Sequence, residues 1–170
     1  LWLGIGPRFV AVDDIAREGD ALEPFLHKLP ETLQIFPLAV GLKRLFAGAD
    51  FIRVLQQLHS KVGTSALAEN DLRIAVHAAR QLSELAAGEG FSEDDHAQLL
   101  LPVAGGLLRR PDDCVYDDMP WLEEGGQGHG GTIQNLVHED IANAQARRLR
   151  AVPLSAKLCK GAAEALPSNL

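Results

Sequence analysis

The clearest pattern of hydrophobic and polar positions lies in the middle of the chain and predicts two amphipathic helices. After Asp50, which we interpret as an N-cap, apolar residues recur at three- and four-residue intervals until Gly63. These apolar positions are Phe51, Val54, Leu55, Leu58 and Val62. A second helix is predicted to begin at Glu69 or Asn70 and to end at Gly88. The two helices would form a hairpin whose apolar faces need a partner, so we interpret it as core scaffold.

Shorter patterns precede the predicted hairpin. A Gly-Ile-Gly-Pro turn between two apolar runs predicts a β-hairpin over Leu1–Val12. Leucine and phenylalanine at helical spacing predict a helix over Leu22–Leu29, which Pro30 would end. Two further short helices are predicted over Glu31–Phe36 and Pro37–Leu45.

Beyond residue 90 the apolar residues occur in short runs separated by turns, which predicts strands. The predicted strands are Leu99–Val103, Leu107–Arg110, Cys114–Tyr116 and Gln134–Val137. Ser92 and Asp95 have the spacing of a capping box, and a helix is predicted over Glu139–Arg150. Val152–Leu158 is predicted to be extended. The whole pattern predicts an α+β fold that is helix-rich, with the helical hairpin packed against a small, mainly antiparallel sheet.

The chain of 170 residues is long enough for one substantial core. We expect a single domain over residues 1–158, with a helical part at about 13–87 and a small-sheet part at about 99–158. The glycine-rich stretch 123–132 is predicted to be a flexible loop, and 159–170 a frayed tail.

Composition and charge exclude several classes of protein. The net charge of −7 argues against a surface that binds duplex nucleic acid. No apolar stretch approaches the roughly 18 residues of a transmembrane helix, so we expect no membrane insertion. The first residues lack the features of a signal peptide, and a fragment of a longer polypeptide is the simpler interpretation. Cys114 and Cys159 are too few for a disulfide framework, which favours a reducing, cytoplasmic location.

The candidate catalytic motifs have simpler structural explanations. The glycine-rich loop lacks the Lys-Ser/Thr that completes a phosphate-binding loop, so we expect no nucleotide there. The acidic residues at 112–118 lack the spacing of a calcium loop and are interpreted as a solvated turn. His138, Glu139 and Asp140 lie at a predicted helix start, where carboxylates complement the helix dipole. We therefore predict no catalytic residue, no cofactor and no metal ligand.

Two alternatives remain open. The chain could be a hydrolase or metal-dependent enzyme that uses His138 and the acidic 112–118 turn, which requires these side chains to converge in one pocket. It could also be a stand-alone peptide-binding module, which requires an exposed apolar groove or an open sheet edge.

Two patches carry a resemblance to a known family: LPVAGGLLRRPDDCVYDDMPWL at 101–122 and LVHEDIANAQARRL at 136–149. The first resembles the sacsin-family signature that contains a Tyr-Asn-Asp-Ala-Pro-Trp-Leu run, and the second resembles the family's next element. The residues that match include Leu101, Pro102, Leu107, Pro111, Leu122, Ala146, Leu149, Val152 and Leu154. Eight further matching residues, which we call the signature residues, are Tyr116, Asp118, Pro120, Trp121, Val137, His138, Ile141 and Asn143. Earlier segments, such as LWLGIGPRFV and VGLKRLFAGADFIRVL, are also similar to the family. Departures include Arg150, where the family has Gly.

The resemblance implies a role without chemistry. Sacsin-like proteins are very large chaperone-type or scaffold proteins, in which a GHKL-type, heat-shock-90-like ATPase domain precedes a segment like this one. The nucleotide-binding motif of that ATPase is absent here, so we expect no ATP binding by this chain alone. The implied partners are other domains of the same polypeptide, including the ATPase module, and protein clients. The signature residues would be structural or interaction residues, with Trp121 either packed in the core or exposed as a contact.

Overall fold

The computed structural model describes residues 2–5, 7–33, 42–88, 91–119 and 135–158. The predicted loop at 123–132, the predicted tail at 159–170 and the signature residues Pro120 and Trp121 lie outside these residues. Within the described ranges, no helix is long and apolar enough to cross a membrane.

The predicted helical hairpin is confirmed. Helix α1 spans Gly48–Val62 and helix α2 spans Glu69–Leu85, and the two pack along each other. Each buries one face, as the spacing of apolar residues predicts. Gly63 follows α1 with a φ of 61°, a left-handed conformation that costs glycine little and ends the helix.

The prediction that Asp50 is the N-cap is wrong, since the N-cap is Ala47, three residues earlier. Helix α1 begins before this residue, so Asp50 lies in the first turn, and its carboxylate accepts a hydrogen bond from the backbone N–H of Ala47 at 3.0 Å. It also accepts hydrogen bonds from Lys43 Nζ at 2.5 Å and Arg53 Nη2 at 3.3 Å. The buried carboxylate is therefore fully partnered, as burial of a charge requires.

Two shorter helices follow. Helix α3 spans Glu93–Gln98, and its predicted capping box is confirmed by reciprocal hydrogen bonds between Ser92 and Asp95. Helix α4 spans Asn143–Arg148, which is shorter at both ends than predicted. Residues 154–158 are helical, so the prediction of an extended segment there holds only for 152–153.

The predicted N-terminal β-hairpin is confirmed, with strand β1 at Trp2–Ile5 antiparallel to strand β2 at Arg8–Ala11. Strand β3, Ile15–Ala16, then pairs in parallel with strand β4, His27–Lys28. A short 3-10 helix covers Glu31–Leu33.

The helix predicted over Leu22–Leu29 is absent. Leu22 and Leu26 instead exchange backbone hydrogen bonds across a tight turn. Pro24 lies inside this turn, and proline both lacks an N–H donor and disfavours helical geometry in the residue before it. The helix predicted over Pro37–Leu45 is also wrong for its described part, since residues 42–45 are not helical.

The strands predicted after residue 99 are present, but each is very short. They are β5 at Leu101–Pro102, β6 at Leu108–Arg109, β7 at Val115–Tyr116 and β8 at Val152–Pro153. β5–β6 and β7–β8 are two-stranded sheets, and isolated bridges at residues 136–137 connect Val103, after β5, to Val115 of β7. We call this connected arrangement, in the order β6, β5, 136–137, β7, β8, the small sheet.

The α+β fold class is confirmed, with one correction to the sheet. Its first half, from β6 to 136–137, is antiparallel, whereas the second half, from 136–137 to β8, is parallel. The chain leaves β7 and returns through long connections, one of which contains α4, and long connections of this kind allow parallel neighbours.

The helical hairpin and the small sheet share one hydrophobic core. Its fully buried side chains include Leu55 of α1, Leu82 of α2, Leu101 of β5 and Leu149 after α4. Each such burial contributes roughly 1.5–3 kcal/mol to folding. A smaller cluster lies under the N-terminal hairpin and comprises Val10, Val12, Ile15, Leu29 and Leu42.

Candidate functional site

A cleft of about 660 Å³ opens where the small sheet meets the start of α2. Its apolar lining comes from both structures and consists of Leu67, Leu72, Leu136, Val137 and Ile141. Its polar lining comes from β7 and from the segment that leads into α4, and consists of Tyr116, Asp117, His138, Glu139 and Asn143. We call this site the α2–sheet cleft.

Most of the described signature residues meet in this cleft. Those that line it are Tyr116, Val137, His138, Ile141 and Asn143. Asp118 does not line the cleft. Its carboxylate accepts hydrogen bonds from the backbone N–H of Ser155 at 2.9 Å and from the Ser155 hydroxyl at 2.5 Å. These hydrogen bonds lower the pKa of Asp118, because they stabilise the charged carboxylate.

Backbone hydrogen bonds hold the two signature patches side by side. The N–H of Val137 donates to the carbonyl of Val115 at 2.8 Å, and the N–H of His138 donates to the carbonyl of Pro102 at 3.0 Å. The side-chain amide of Asn143 donates to the carbonyl of Asp117, which joins α4 to the end of β7. Segments distant in sequence are thus fixed in one cleft wall.

The turn between β5 and β6 forms another part of the cleft wall. Gly105 and Gly106 have φ values of 84° and 76°, a left-handed geometry that favours glycine. The carbonyl of Gly106 accepts a hydrogen bond from the N–H of Leu67 at 2.8 Å, which ties this turn to the connection between α1 and α2. A Cβ atom on Gly106 would lie 3.5 Å from the carbonyl oxygen of Leu67.

The prediction that His138, Glu139 and Asp140 begin a helix is wrong. They form a turn, and α4 begins only after Ala142, so their carboxylates are not at the helix N-terminus. The turn is held instead by His138, whose Nδ1 accepts the N–H of Asp140 at 3.2 Å. The carbonyl of Asp140 in turn accepts a hydrogen bond from Arg80 Nε at 2.7 Å, which anchors the turn to α2.

A second, smaller cavity of about 420 Å³ continues the cleft along α2 and shares Leu72 and His138 with it. Its charged lining is mixed, because Glu69 and Asp140 face Arg73 and Arg80. The α2–sheet cleft, by contrast, has no Lys or Arg among its described lining residues.

Only part of the acidic 112–118 turn lies near His138. Of the acidic residues at 112–118, Asp117 alone lines the cleft with His138, among the residues that the structure describes. In the same ranges no group of three or more His, Cys, Asp and Glu side chains is placed to hold a metal ion. Burial raises the pKa of the Cys114 thiol to about 12, so it stays protonated at neutral pH and is a poor nucleophile.

Sequence reasoning missed half of the cleft. Leu67, Leu72 and the Gly105–Gly106 turn were not among the candidate residues, yet all of them line the cleft. The paired glycines were the usable signal, since two left-handed residues in succession can bring one backbone close to another.

Comparison with known proteins supports the resemblance at a distance. No protein-family model matches the chain, and no solved structure matches it. The chain is 26% identical to sacsin from Homo sapiens over 141 residues, which cover 76% of this chain and 3% of sacsin. The chain therefore spans about 3% of the length of the curated relative that it matches, and the similarity is that of a distant, sacsin-like segment.

Proposed function

We propose that this chain is a non-catalytic structural and interaction domain of a large, sacsin-like chaperone or scaffold protein, located in the cytoplasm beside an ATPase module. The observation that carries this proposal is the convergence of two separate signature patches on one cleft. The signature residues concerned are Tyr116, Val137, His138, Ile141 and Asn143. Tyr116, His138 and Asn143 keep exposed surface in the cleft and are suited to contacting a partner, whereas Val137 and Ile141 belong to the hydrophobic core beneath them.

The shape of the cleft supports an interaction role. Its volume of about 660 Å³ is within the roughly 300–1,000 Å³ of typical ligand sites. Leu72 and Leu136 are only partly buried, so apolar surface remains for a partner to cover. Burial of such apolar surface by a partner is a main source of binding free energy. The same features suit the alternative of a stand-alone peptide-binding module.

The hydrolase alternative has one observation in its favour, the shared position of His138 and Asp117 in the cleft. Against it, Nδ1 of His138 accepts the Asp140 N–H, and Asp118 is engaged by Ser155. A general base needs an orienting partner as well as a free nitrogen, and no carboxylate of the acidic turn is hydrogen-bonded to His138 within the described residues.

Suppression of client aggregation by this chain tests the proposal. We expect roughly equimolar chain to reduce the light scattering of thermally unfolding citrate synthase, with or without ATP. Leu72→Ala should weaken this effect, because it removes apolar cleft surface. Leu85→Ala is the matched control, since Leu85 is also a partly buried leucine of α2 but lies outside the cleft.

Three results would contradict the proposal. They are no suppression at all, binding of a fluorescent ATP analogue, and hydrolysis of a nitrophenyl ester or phosphate that is lost in His138→Ala. The last result would favour the hydrolase alternative directly.

A further inference from the structure

We infer that the α2–sheet cleft binds a peptide segment of a partner protein that carries Lys or Arg beside aliphatic residues. This inference rests on the proposed interaction function and adds the chemistry of the partner. It follows from three properties of the described cleft: an apolar base, an acidic rim and the absence of a cation to neutralise that rim.

The apolar base of the cleft favours aliphatic side chains on the partner. Val137 and Ile141 are almost completely buried and form a packed surface, while Leu72 and Leu136 stay partly exposed beside them. Partner side chains that cover these leucines would remove apolar surface from water, at roughly 25 cal/mol for each Å².

The acidic rim, which consists of Asp117 and Glu139, favours a cationic side chain on the partner. Asp117 and Glu139 line the cleft, and neither is in an ion pair within the described residues. One carboxylate oxygen of Asp117 accepts the N–H of Met119 at 2.9 Å, which fixes the side chain and leaves its second oxygen available. Glu139 is exposed. A Lys or Arg between these carboxylates would gain charge-assisted hydrogen bonds that no residue of the described lining supplies.

The adjoining cavity along α2 differs from this cleft in its charge. In the adjoining cavity along α2, the acidic residues Glu69 and Asp140 face the basic residues Arg73 and Arg80. The cationic residue of the partner is therefore expected to lie near Asp117 rather than further along the helix.

Charge also selects among possible occupants. The chain's own segment 120–134 contains Glu123 and Glu124 but no Lys or Arg, so it is not the complement of an acidic rim. A second copy of the chain carries a net charge of −7 and would be repelled. A basic, apolar segment of a different polypeptide fits both the charge and the lining.

A set of three labelled peptides tests the inference by fluorescence anisotropy with the chain. The basic probe is Gly-Leu-Lys-Leu-Arg-Val-Lys-Leu-Gly. The acidic probe replaces each Lys and Arg with Glu, and the polar probe replaces each Leu and Val with Ser. We expect the basic probe to bind at least about tenfold more tightly than either of the others. Its affinity should fall between about 0.05 and 0.3 M NaCl.

Paired variants locate the binding. Asp117→Asn combined with Glu139→Gln should weaken the basic probe about tenfold, since it removes both rim charges without changing side-chain size. The matched control, Asp13→Asn with Glu23→Gln, changes the net charge equally at two exposed positions outside the cleft and should not alter binding. Leu72→Ala should weaken the probe and Leu85→Ala should not.

Equal binding of the basic and acidic probes would overturn the inference. Equal effects of the rim variant and its control would also overturn it, as would dimerisation of the chain that Leu72→Ala abolishes. The test separates this inference from the proposed function. If the chain suppresses aggregation but does not prefer the basic probe, the inference fails alone. If the rim variant weakens probe binding as expected but no client is protected, the proposed function fails alone.

Discussion

The helical hairpin and the small sheet share one core but are built in opposite ways. Helices α1 and α2 have 15 and 17 residues, and their hydrogen bonds are local. The strands β5 to β8 have two residues each. β5 and β6 pair across a short turn, whereas the partners of β7, which are residue 136 and β8, lie far from it along the chain. Local periodicity therefore specifies the hairpin, whereas the sheet depends on contacts that exist only after the chain has folded.

Because of this difference, the helical hairpin contributes most to stability, whereas the small sheet forms most of the candidate site. The hairpin contributes fully buried leucines such as Leu55, Leu58 and Leu82 to the core. The sheet contributes the turns and short connections that leave the α2–sheet cleft open. Binding surfaces are commonly found on such connections, held in place by a rigid scaffold.

The largest expected effect comes from a cavity in the hairpin. Leu55 is 0% exposed, and Leu55→Ala should lower the free energy of unfolding by about 3 kcal/mol, within a usual range of about 2–5. Because the same cluster includes Leu101 of β5, hydrogen-exchange protection should fall in the sheet as well as in α1. Urea denaturation followed by circular dichroism gives the first quantity.

The exposed Leu45 provides the control, and Leu45→Ala should change the free energy of unfolding by no more than about 0.5 kcal/mol. Two separate unfolding transitions, or sheet amides with unchanged protection in Leu55→Ala, would show that the hairpin and the sheet do not fold as one unit.

A smaller effect is expected from the turn that forms a cleft wall. Gly106→Ala places a Cβ atom on a residue with a φ of 76°, which costs about 1–2 kcal/mol. The amide of Leu67, which donates to the Gly106 carbonyl, should then exchange faster with solvent. Circular dichroism and hydrogen exchange measure the two results.

Gly88→Ala is the control for this turn. Gly88 follows α2 and does not have a positive φ, so the change should be within about 0.5 kcal/mol. If Gly106→Ala and Gly88→Ala lower the free energy of unfolding equally, the positive φ of Gly106 is not the reason why glycine is needed at this position.

The sequence predicted the helical hairpin and the positions of the short strands, and it singled out the signature residues without predicting that they meet in a cleft. It failed where a proline or tertiary contacts override local spacing. Leu22 and Leu26 have helical spacing, yet the proline between them directs the chain into a turn. Parallel pairing of β7 and β8 could not be foreseen either, because it depends on where α4 returns the chain.

Arg150 shows how a departure from a family pattern can keep the same backbone. The resemblance places Gly there, as expected for a helix end. Arg150 nevertheless has a φ of 64°, and the N–H of the next residue, Ala151, donates to the carbonyl of Ala146 at 3.0 Å. The Arg150 side chain forms two hydrogen bonds with Glu93, at 2.6 and 2.5 Å. Arg150 thus adopts the left-handed geometry expected of Gly and also contacts α3, which a Gly could not do through a side chain.

The smallest expected effect concerns the Asp118 carboxylate, which joins the end of β7 to the helical segment after β8. Hydrogen bonds from Ser155 lower the pKa of Asp118 below its ordinary value of 3.8, so the folded state binds fewer protons there than the unfolded state. The stabilisation is fully present above about pH 3.8 and is lost as the pH falls through the lowered pKa of the folded state. Ser155→Ala removes the hydroxyl donor, which is the largest cause of the shift, and should raise the pKa of Asp118 towards 3.8.

Carbon-detected NMR titration of the Asp118 carboxyl group measures this pKa directly, and urea midpoints between about pH 2 and 6 measure its consequence for stability. The fall in stability with acid should be shallower in Ser155→Ala than in the parent chain, and only slightly so, because the carboxylate is exposed to screening by solvent. Ser65→Ala, at an exposed serine in the connection between α1 and α2, should leave both measurements unchanged. An unchanged pKa of Asp118 in Ser155→Ala would mean that the Ser155 hydroxyl does not join β7 to the helical segment after β8, and that backbone pairing holds the parallel half of the sheet without it.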